Sequence, residues 1–269
     1  MTDALQASID AWWQAATDFI ELAGSLADDD WARPTDLSGW DVKAVASHVA
    51  HLEGVLAGAP PEHADVPEAA HIRGPMGQFT EIGVLTRRDT PPAAIVEEIR
   101  RHTTARHDAL VADPPTDPDA PAPGIFGAIG WSTALLLRNR PLDVWMHEQD
   151  VRRAVGRPGG MDSLAAAHTT GYLLESLGFV LSKRAGAGPG TTLVARVEGS
   201  PPAAYGIGED GRGHRLDAVP DEPTVTLAMD REAFVRLAGG RGGVAPTEVA
   251  IQGDRALGER VVAGLAVTP

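Results

Sequence analysis

Residues 140–150 read RPLDVWMHEQD, and three of their side chains recur at helical spacing. Asp143 and His147 are four positions apart, and Asp150 follows three positions later. On a helix these three side chains share one face within roughly 60° of arc. A carboxylate and an imidazole one turn apart can both bind a divalent cation. Such a site needs a third ligand from a facing helix and keeps one position open for water or substrate.

Residues 39–50 read GWDVKAVASHVA and contain a candidate for that third ligand. His48 lies roughly 60° from the centre of the apolar stripe formed by Val45, Val49 and Leu52 on the predicted helix. Its side chain is therefore predicted to lean into the interior of a bundle.

Each candidate ligand also has a structural interpretation. A histidine on an apolar face is more often a hydrogen-bonded core residue than a ligand, and spacing alone leaves both interpretations open. Asp143 could cap the turn around Pro141, and Asp150 could pair with Arg153. The other histidines lie in predicted loops or among solvated helix residues and are interpreted as incidental: His51, His63, His71, His102, His107, His168 and His214.

Composition excludes several classes of function. The chain has 269 residues, with 23 basic and 37 acidic side chains and a net charge of −14, which argues against a nucleic-acid partner. It has no cysteine, so disulfides, thiolate metal sites and a cysteine nucleophile are excluded, and any thiol must come from outside. The first residues carry no basic stretch followed by an apolar run, and no apolar segment reaches the ~18 residues of a membrane span. We expect a cytoplasmic protein with no membrane partner.

Periodicity of apolar residues predicts a helical first part. Residues 59–91 are expected to be a loop of weak local order, and the proline-rich segment 113–124 is expected to be neither helix nor central strand. Pro141 should either kink a helix or begin a new one. The helices are predicted over residues 5–27, 42–56, 92–111, 129–137, 141–155 and 164–181.

The apolar period changes after a glycine- and proline-rich hinge at residues 185–190, from about 3.6 residues to 2. We therefore expect an α+β protein in which a helical bundle, residues 1–187, precedes a small α+β domain, residues 188–269. The second domain is predicted to contain strands at 192–197, 214–218, 224–228 and 249–252, and helices at 230–238 and 254–265.

The two motifs together resemble those of the DinB-like four-helix proteins, and more closely the mycothiol-dependent maleylpyruvate isomerase family. The matching residues are Gly39-Trp40-x-Val42 leading to His48, and Arg140-x-x-Asp143-x-x-x-His147-x-x-Asp150. The resemblance implies a divalent metal, usually zinc, with nickel or another ion as alternatives, held by His48, Asp143 and His147. The best-known members have glutamate where Asp143 stands. The aspartate reaches one methylene less, which implies a tighter site, another ion or weaker binding.

The C-terminal part looks like the sterol-carrier-like module often joined to this bundle. The matching segments are DEPTVTL at 221–227, LAGGR at 237–241 and VAIQGD at 249–254. In this interpretation Arg241 could bind a substrate carboxylate with its bidentate guanidinium, whereas the alternative is a solvated loop arginine.

Other residues near the motifs are expected to support the site. Asp150 could orient an imidazole N–H of a metal-bound histidine. Trp40 and Trp145 are expected to be core residues or the wall of a pocket that keeps water from the ion.

The resemblance implies a metal-dependent transferase or isomerase that uses a low-molecular-weight thiol, mycothiol or a similar one. Its partners would be that thiol and a small electrophile such as maleylpyruvate, and the protein is expected to be a monomer or a homodimer. Two alternatives stay open. One is a metal-dependent hydrolase, in which water takes the open position. The other is a non-catalytic module that binds an apolar ligand.

Overall fold

The computed structural model describes residues 3–268. The chain divides into two compact units between Gly160 and Met161. The first unit is helical, and the second combines helices with a five-stranded sheet in the described residues. The α+β class predicted from the sequence is therefore confirmed. No helix between residues 3 and 268 is long and apolar enough to cross a membrane.

Four long helices form the first unit's bundle. α1 packs against α4 and α6, and α2 also packs against α4 and α6, so the four surround one core. A fifth helix, α3, packs on α2, and a short helix, α5, precedes α6. The bounds are α1 Asp3–Gly24, α2 Val42–Leu56, α3 Gly74–Thr86, α4 Pro92–Ala112, α5 Gly124–Ala128 and α6 Thr133–Val155.

The start of α2 is fixed by its cap and by a glycine turn. Asp41 caps the helix by accepting a hydrogen bond from the backbone N–H of Ala44 at 2.8 Å. Gly39 has φ +85°, and a Cβ there would lie 2.5 Å from His71 Nδ1. Only glycine fits this turn without strain. The turn and the cap together position Trp40 and, two turns into the helix, His48.

α6 is one helix that runs through Pro141. It begins at a Ser132 cap and ends at Gly156, which has φ +68°. The alternative in which Pro141 begins a new helix is wrong. Residues 129–132 were predicted to be helical, but α6 begins only after them. Pro141 is buried inside α6, where it cannot donate the backbone hydrogen bond that other residues of the helix donate.

α3 contradicts the expectation that residues 59–91 form a loop. Its sequence, GPMGQFTEIGVLT, has a weak apolar period and two internal glycines, so local propensity gave no helix signal. One of them, Gly83, lies against α2, where a Cβ would be 2.2 Å from the Cβ of His51. The glycine that lowers helix propensity therefore permits the close packing that stabilises the helix.

The second unit contains a mixed sheet with the strand order β3-β2-β1-β4-β5. β1 and β4 are parallel, with Leu193 opposite Val225, and the other neighbouring pairs are antiparallel. The strands are β1 Thr192–Val197, β2 Ala203–Ile207, β3 Gly213–Arg215, β4 Val225–Met229 and β5 Ala250–Gly253, and helices α9 Arg231–Ala238 and α10 Arg255–Ala263 follow β4 and β5. β2 was missed because it is short and directly follows the pair Pro201-Pro202, which is typical of a turn.

The helix predicted over residues 164–181 is interrupted. It consists of α7 Leu164–Leu174, a single turn α8 Leu177–Phe179 and a wider turn at Val180–Arg184. α8 lies so close to β3 that a Cβ on Gly178 would be 2.8 Å from the carbonyl oxygen of Gly213.

The boundary predicted at residues 187/188 is corrected to residues 160/161. α7 packs on α9, and α8 packs on β2 and β3. This helical segment therefore belongs to the unit that contains the sheet. The change from helical to strand periodicity lies inside the second unit and does not mark its beginning.

Candidate metal centre

The three predicted ligands meet between α2 and α6. One ligating atom from each of His48, Asp143 and His147 lies within 4.8 Å of the other two, and no other such group is found in residues 3–268. His48 Nε2 is 3.5 Å from Asp143 Oδ2, and His147 Nε2 is 3.6 Å from Asp143 Oδ1. The carboxylate therefore lies between the two imidazoles.

His48 is buried and has unused polar atoms. Within the described part of the chain neither of its ring nitrogens makes a hydrogen bond of normal geometry, and Nε2 has the 3.5 Å contact with Asp143 Oδ2. Burial lowers the pKa of His48 to about 4, although the neighbouring Asp143 opposes the shift. The imidazole is therefore neutral at pH 7, which is the form that can bind a cation.

Asp143 is a charged carboxylate. Burial would raise its pKa, but Arg140 and the two histidines hold the pKa well below the usual aspartate value. Arg140 Nη1 donates to Asp143 Oδ2 at 2.9 Å from one turn earlier on α6. The interpretation of Asp143 as a cap at Pro141 is wrong, because Pro141 lies inside α6 and Asp143 points to the histidines.

His147 is held from its other side by Asp150. Its Nδ1 lies 3.2 Å from Asp150 Oδ2, and Asp150 is fully buried. Arg153 Nη2 donates to the second oxygen, Asp150 Oδ1, at 2.6 Å, and Arg153 Nε donates to Asp36 at 2.5 Å. The pairing of Asp150 with Arg153 and its contact with His147 thus occur together. Burial lowers the pKa of His147, but Asp143 and Asp150 outweigh this effect, so that its pKa is raised.

Trp40 forms a wall of the site. Its ring centroid is 5.0 Å from that of His48 and 6.1 Å from that of His147. Its indole N–H donates to Glu81 Oε2 on α3 at 2.9 Å, and His71 Nε2 lies 3.5 Å from the same oxygen. The expectation for Trp40 as a pocket wall fits this position. Trp145 is fully buried, and its N–H donates to the carbonyl of Gly160 at 3.2 Å.

A buried charge cluster lies behind the site. Glu53 on α2 is fully buried and accepts hydrogen bonds from Trp12 at 3.1 Å, Arg106 at 3.3 Å and Arg140 at 2.7 Å. Burial would raise its pKa, but Arg140 and Arg106 lower it below the usual glutamate value. The carboxylate of Glu53 is therefore charged in the interior.

His51 is not the incidental, solvated residue that its position suggested. It is 2 % exposed, and its Nδ1 lies 3.0 Å from Glu62 Oε2. Glu62 also accepts from Arg87 Nη2 at 2.5 Å, and Arg87 Nη2 donates to Glu98 at 2.6 Å. Through these ion pairs and hydrogen bonds, Glu62 connects the segment between α2 and α3 to α2 and, by way of Arg87, to α4.

Arg241 belongs to the second unit. It follows α9, is partly buried, and donates to the carbonyl of Gly239 at 2.6 Å and to Thr268 Oγ1 at 3.4 Å. The structure thus brings His48, Asp143, His147 and Asp150 together in the first unit, and the hydrogen bonds of Arg241 given above lie within the second.

Arg140, Glu53 and Glu81 have contacts at the site that sequence reasoning did not assign. Arg140 belongs to the sequence motif, but the motif alone indicates no role for it. The sequence does contain a signal for Glu53. It follows Val45 and Val49 at a spacing of four, so a charged residue occupies the apolar face of the predicted helix. Glu81 lies on α3, the helix that was expected to be a loop.

The donor set fits a divalent cation. Two imidazoles and one carboxylate are ligands that zinc and similar ions prefer, and three protein ligands are typical of catalytic rather than structural sites. The ring nitrogens of His48 are a further sign, because buried polar atoms normally make hydrogen bonds of good geometry and these make none in the described residues.

The fold and the site define the class: a two-domain α+β protein whose helical bundle holds a His–Asp–His group. The model of the mycothiol maleylpyruvate isomerase N-terminal domain matches residues 12–152, and the model of the C-terminal domain of the same family matches residues 163–260. The chain belongs to the mycothiol-dependent maleylpyruvate isomerase family.

Solved structures show the same fold. The crystal structures of the mycothiol-dependent maleylpyruvate isomerase and of its histidine-to-alanine mutant each align with a TM-score of 0.55 at 18% identity. Each alignment covers 94% of this chain and 96% of the other. No protein of curated function matches the sequence.

Proposed function

We propose that the protein is a metal-dependent transferase or isomerase that uses a low-molecular-weight thiol and acts on a small electrophile. The observation that carries the proposal is the convergence of ligating atoms from His48, Asp143 and His147 within 4.8 Å of one another. Membership of the family and the donor chemistry both support a divalent cation at this place, with zinc as the first choice and nickel as an alternative.

Each residue of the site would have a separate role in binding such a cation. His48 contributes a neutral imidazole, and Asp143 contributes a negative charge that Arg140 fixes in place. Asp150 orients His147 through Nδ1, so that Nε2 faces Asp143. Trp40 covers the two imidazoles and excludes water from that side. A bound divalent cation supplies Lewis acidity, which lowers the pKa of a thiol toward neutral pH.

The thiol must come from outside the chain, because the sequence contains no cysteine. The names of the two structural relatives include mycothiol and maleylpyruvate. We propose mycothiol or a similar thiol as the cosubstrate and a small electrophile such as maleylpyruvate as the substrate. Binding of a substrate carboxylate by Arg241 stays a prediction of the sequence.

The test is elemental analysis of protein purified without a histidine tag, followed by turnover assays with and without thiol. One divalent ion per chain and turnover of an electrophile that requires both metal and thiol are expected. Turnover by a metal-free His48→Ala/His147→Ala protein would refute the proposal. Metal-dependent turnover without any thiol would instead support the hydrolase.

A further inference from the structure

Glu53 is a point of contact for all four long helices of the bundle. It lies on α2 and accepts hydrogen bonds from Trp12 on α1, Arg106 on α4 and Arg140 on α6. Its side chain is 0 % exposed, and that of Arg140 is 1 % exposed. A carboxylate so deeply buried requires these partners.

Arg140 joins Glu53 to the candidate ligand Asp143. Its Nη2 donates to Glu53 Oε1 at 2.7 Å, and its Nη1 donates to Asp143 Oδ2 at 2.9 Å. A guanidinium is planar and rigid, so a bond that fixes one of its nitrogens also fixes the other. One guanidinium therefore links the Asp143 carboxylate to Glu53, although the two acids lie on different helices.

The charges of this cluster balance. Two guanidiniums, Arg106 and Arg140, face two carboxylates, Glu53 and Asp143. Without Glu53, Arg140 would keep Asp143 as its only carboxylate partner in these ion pairs and would lose the contact that sets its orientation.

We propose that Glu53 is a positioning residue for metal binding: through Arg140 it holds the Asp143 carboxylate between His48 and His147. This inference rests on the proposed function, since it assumes that the three residues bind a cation. It explains how the short aspartate side chain is held in place, with Oδ2 bound by Arg140 and Oδ1 facing His147 Nε2.

The experiment compares Zn²⁺ affinity, measured by competition with a chromophoric chelator, in the wild type, Glu53→Gln and Arg106→Gln. Arg106 contacts the same carboxylate but makes no ion pair with Asp143, so Arg106→Gln is the matched control. Glu53→Gln should bind Zn²⁺ about 10–100-fold more weakly, the usual loss for a partner behind a metal ligand, whereas Arg106→Gln should stay within about threefold. The absorption bands of bound Co²⁺ should change in Glu53→Gln and not in Arg106→Gln.

The outcomes separate this inference from the proposed function. A wild type that binds no divalent cation overturns both. A wild type that binds Zn²⁺ together with a Glu53→Gln variant of equal affinity overturns the inference alone, as does an equal loss in Arg106→Gln. If Glu53→Gln does not fold, the double variant Glu53→Gln/Arg106→Gln, which removes one charge of each sign, takes its place with the same expected loss.

Discussion

The imidazoles of His48 and His147 meet edge to face, with ring centroids 4.7 Å apart and planes at 72°. The two rings come from different helices, and Asp143 lies between their Nε2 atoms. Two imidazole nitrogens beside one anionic oxygen form a donor set suited to a small cation, because the carboxylate attracts the charge and the nitrogens share it.

Replacement of either histidine by asparagine should remove the stabilisation that metal gives to the fold. A ligand that binds only the folded state adds about 2.7 kcal/mol at 100 times its Kd, so Zn²⁺ should raise the Tm of the wild type. His48→Asn and His147→Asn should show no such rise. Thermal unfolding with and without chelator measures the effect. An equal rise in all three proteins would place the metal elsewhere.

Asp150→Asn should weaken metal binding about 10–100-fold, because His147 loses the charged partner that orients its ring. Asp36→Asn is the control, since Asp36 pairs with Arg153 and has no ion pair with His147. Its affinity should stay within about twofold of the wild type. Chelator competition measures both variants, and equal affinities in the two would show that Asp150 does not support the ligand.

Trp40 should report metal binding through its fluorescence, because its ring lies against both candidate histidines. Co²⁺ is expected to quench the emission of the wild type, and Trp40→Phe should lose most of that response. Trp13→Phe is the control, since Trp13 stacks on His107 at 4.0 Å and not on the site. A full response in Trp40→Phe would mean that another tryptophan lies nearer to the cation.

Glu62→Gln should lower the free energy of unfolding by about 1–3 kcal/mol at neutral pH, because Arg87 and His51 lose a charged partner. Glu97→Gln is the control, with a change within about 0.5 kcal/mol, since Glu97 is 69% exposed and pairs only with Arg100 among the described ion pairs.

The contribution of Glu62 should also depend on pH. Burial would raise its pKa, but hydrogen bonds from His51 and Arg87 hold it below the usual glutamate value. As the pH falls through about 4.3, the unfolded chain takes up the proton first, so this stabilisation is present above that pH and declines below it. Urea unfolding across this range should show the difference between wild type and Glu62→Gln shrinking toward acid pH. A difference that stays constant would contradict the assigned pKa.

The candidate ligands could be predicted from local geometry and resemblance. Helical spacing placed Asp143, His147 and Asp150 on one face, and the position of His48 beside an apolar stripe turned it inward. Spacing could not show that the face of α2 with His48 meets the face of α6 with Asp143 and His147, because that depends on how the two helices pack. The family resemblance implied that these residues share one site, and the structure brings them together.

The partners behind the ligands could not be predicted, because they depend on contacts between distant residues. Glu53 and Arg140 are 87 positions apart, and the pattern of α2 marks Glu53 as buried without indicating its partner. α3 and β2 were missed for a related reason. Tertiary packing stabilises both elements, whereas their glycines and neighbouring prolines are typical of loops.

The hydrogen bonds that reach Glu53 from three helices also restrict how the bundle can assemble. Sliding one helix past the others by a single turn, about 5.4 Å, could preserve much of the contact among aliphatic side chains. It would also leave at least one ionised group in the interior without its counter-ion, which is costly. Slipped registers are thereby disfavoured, and the polar centre of the bundle selects one alignment of its helices from several that apolar packing alone would tolerate.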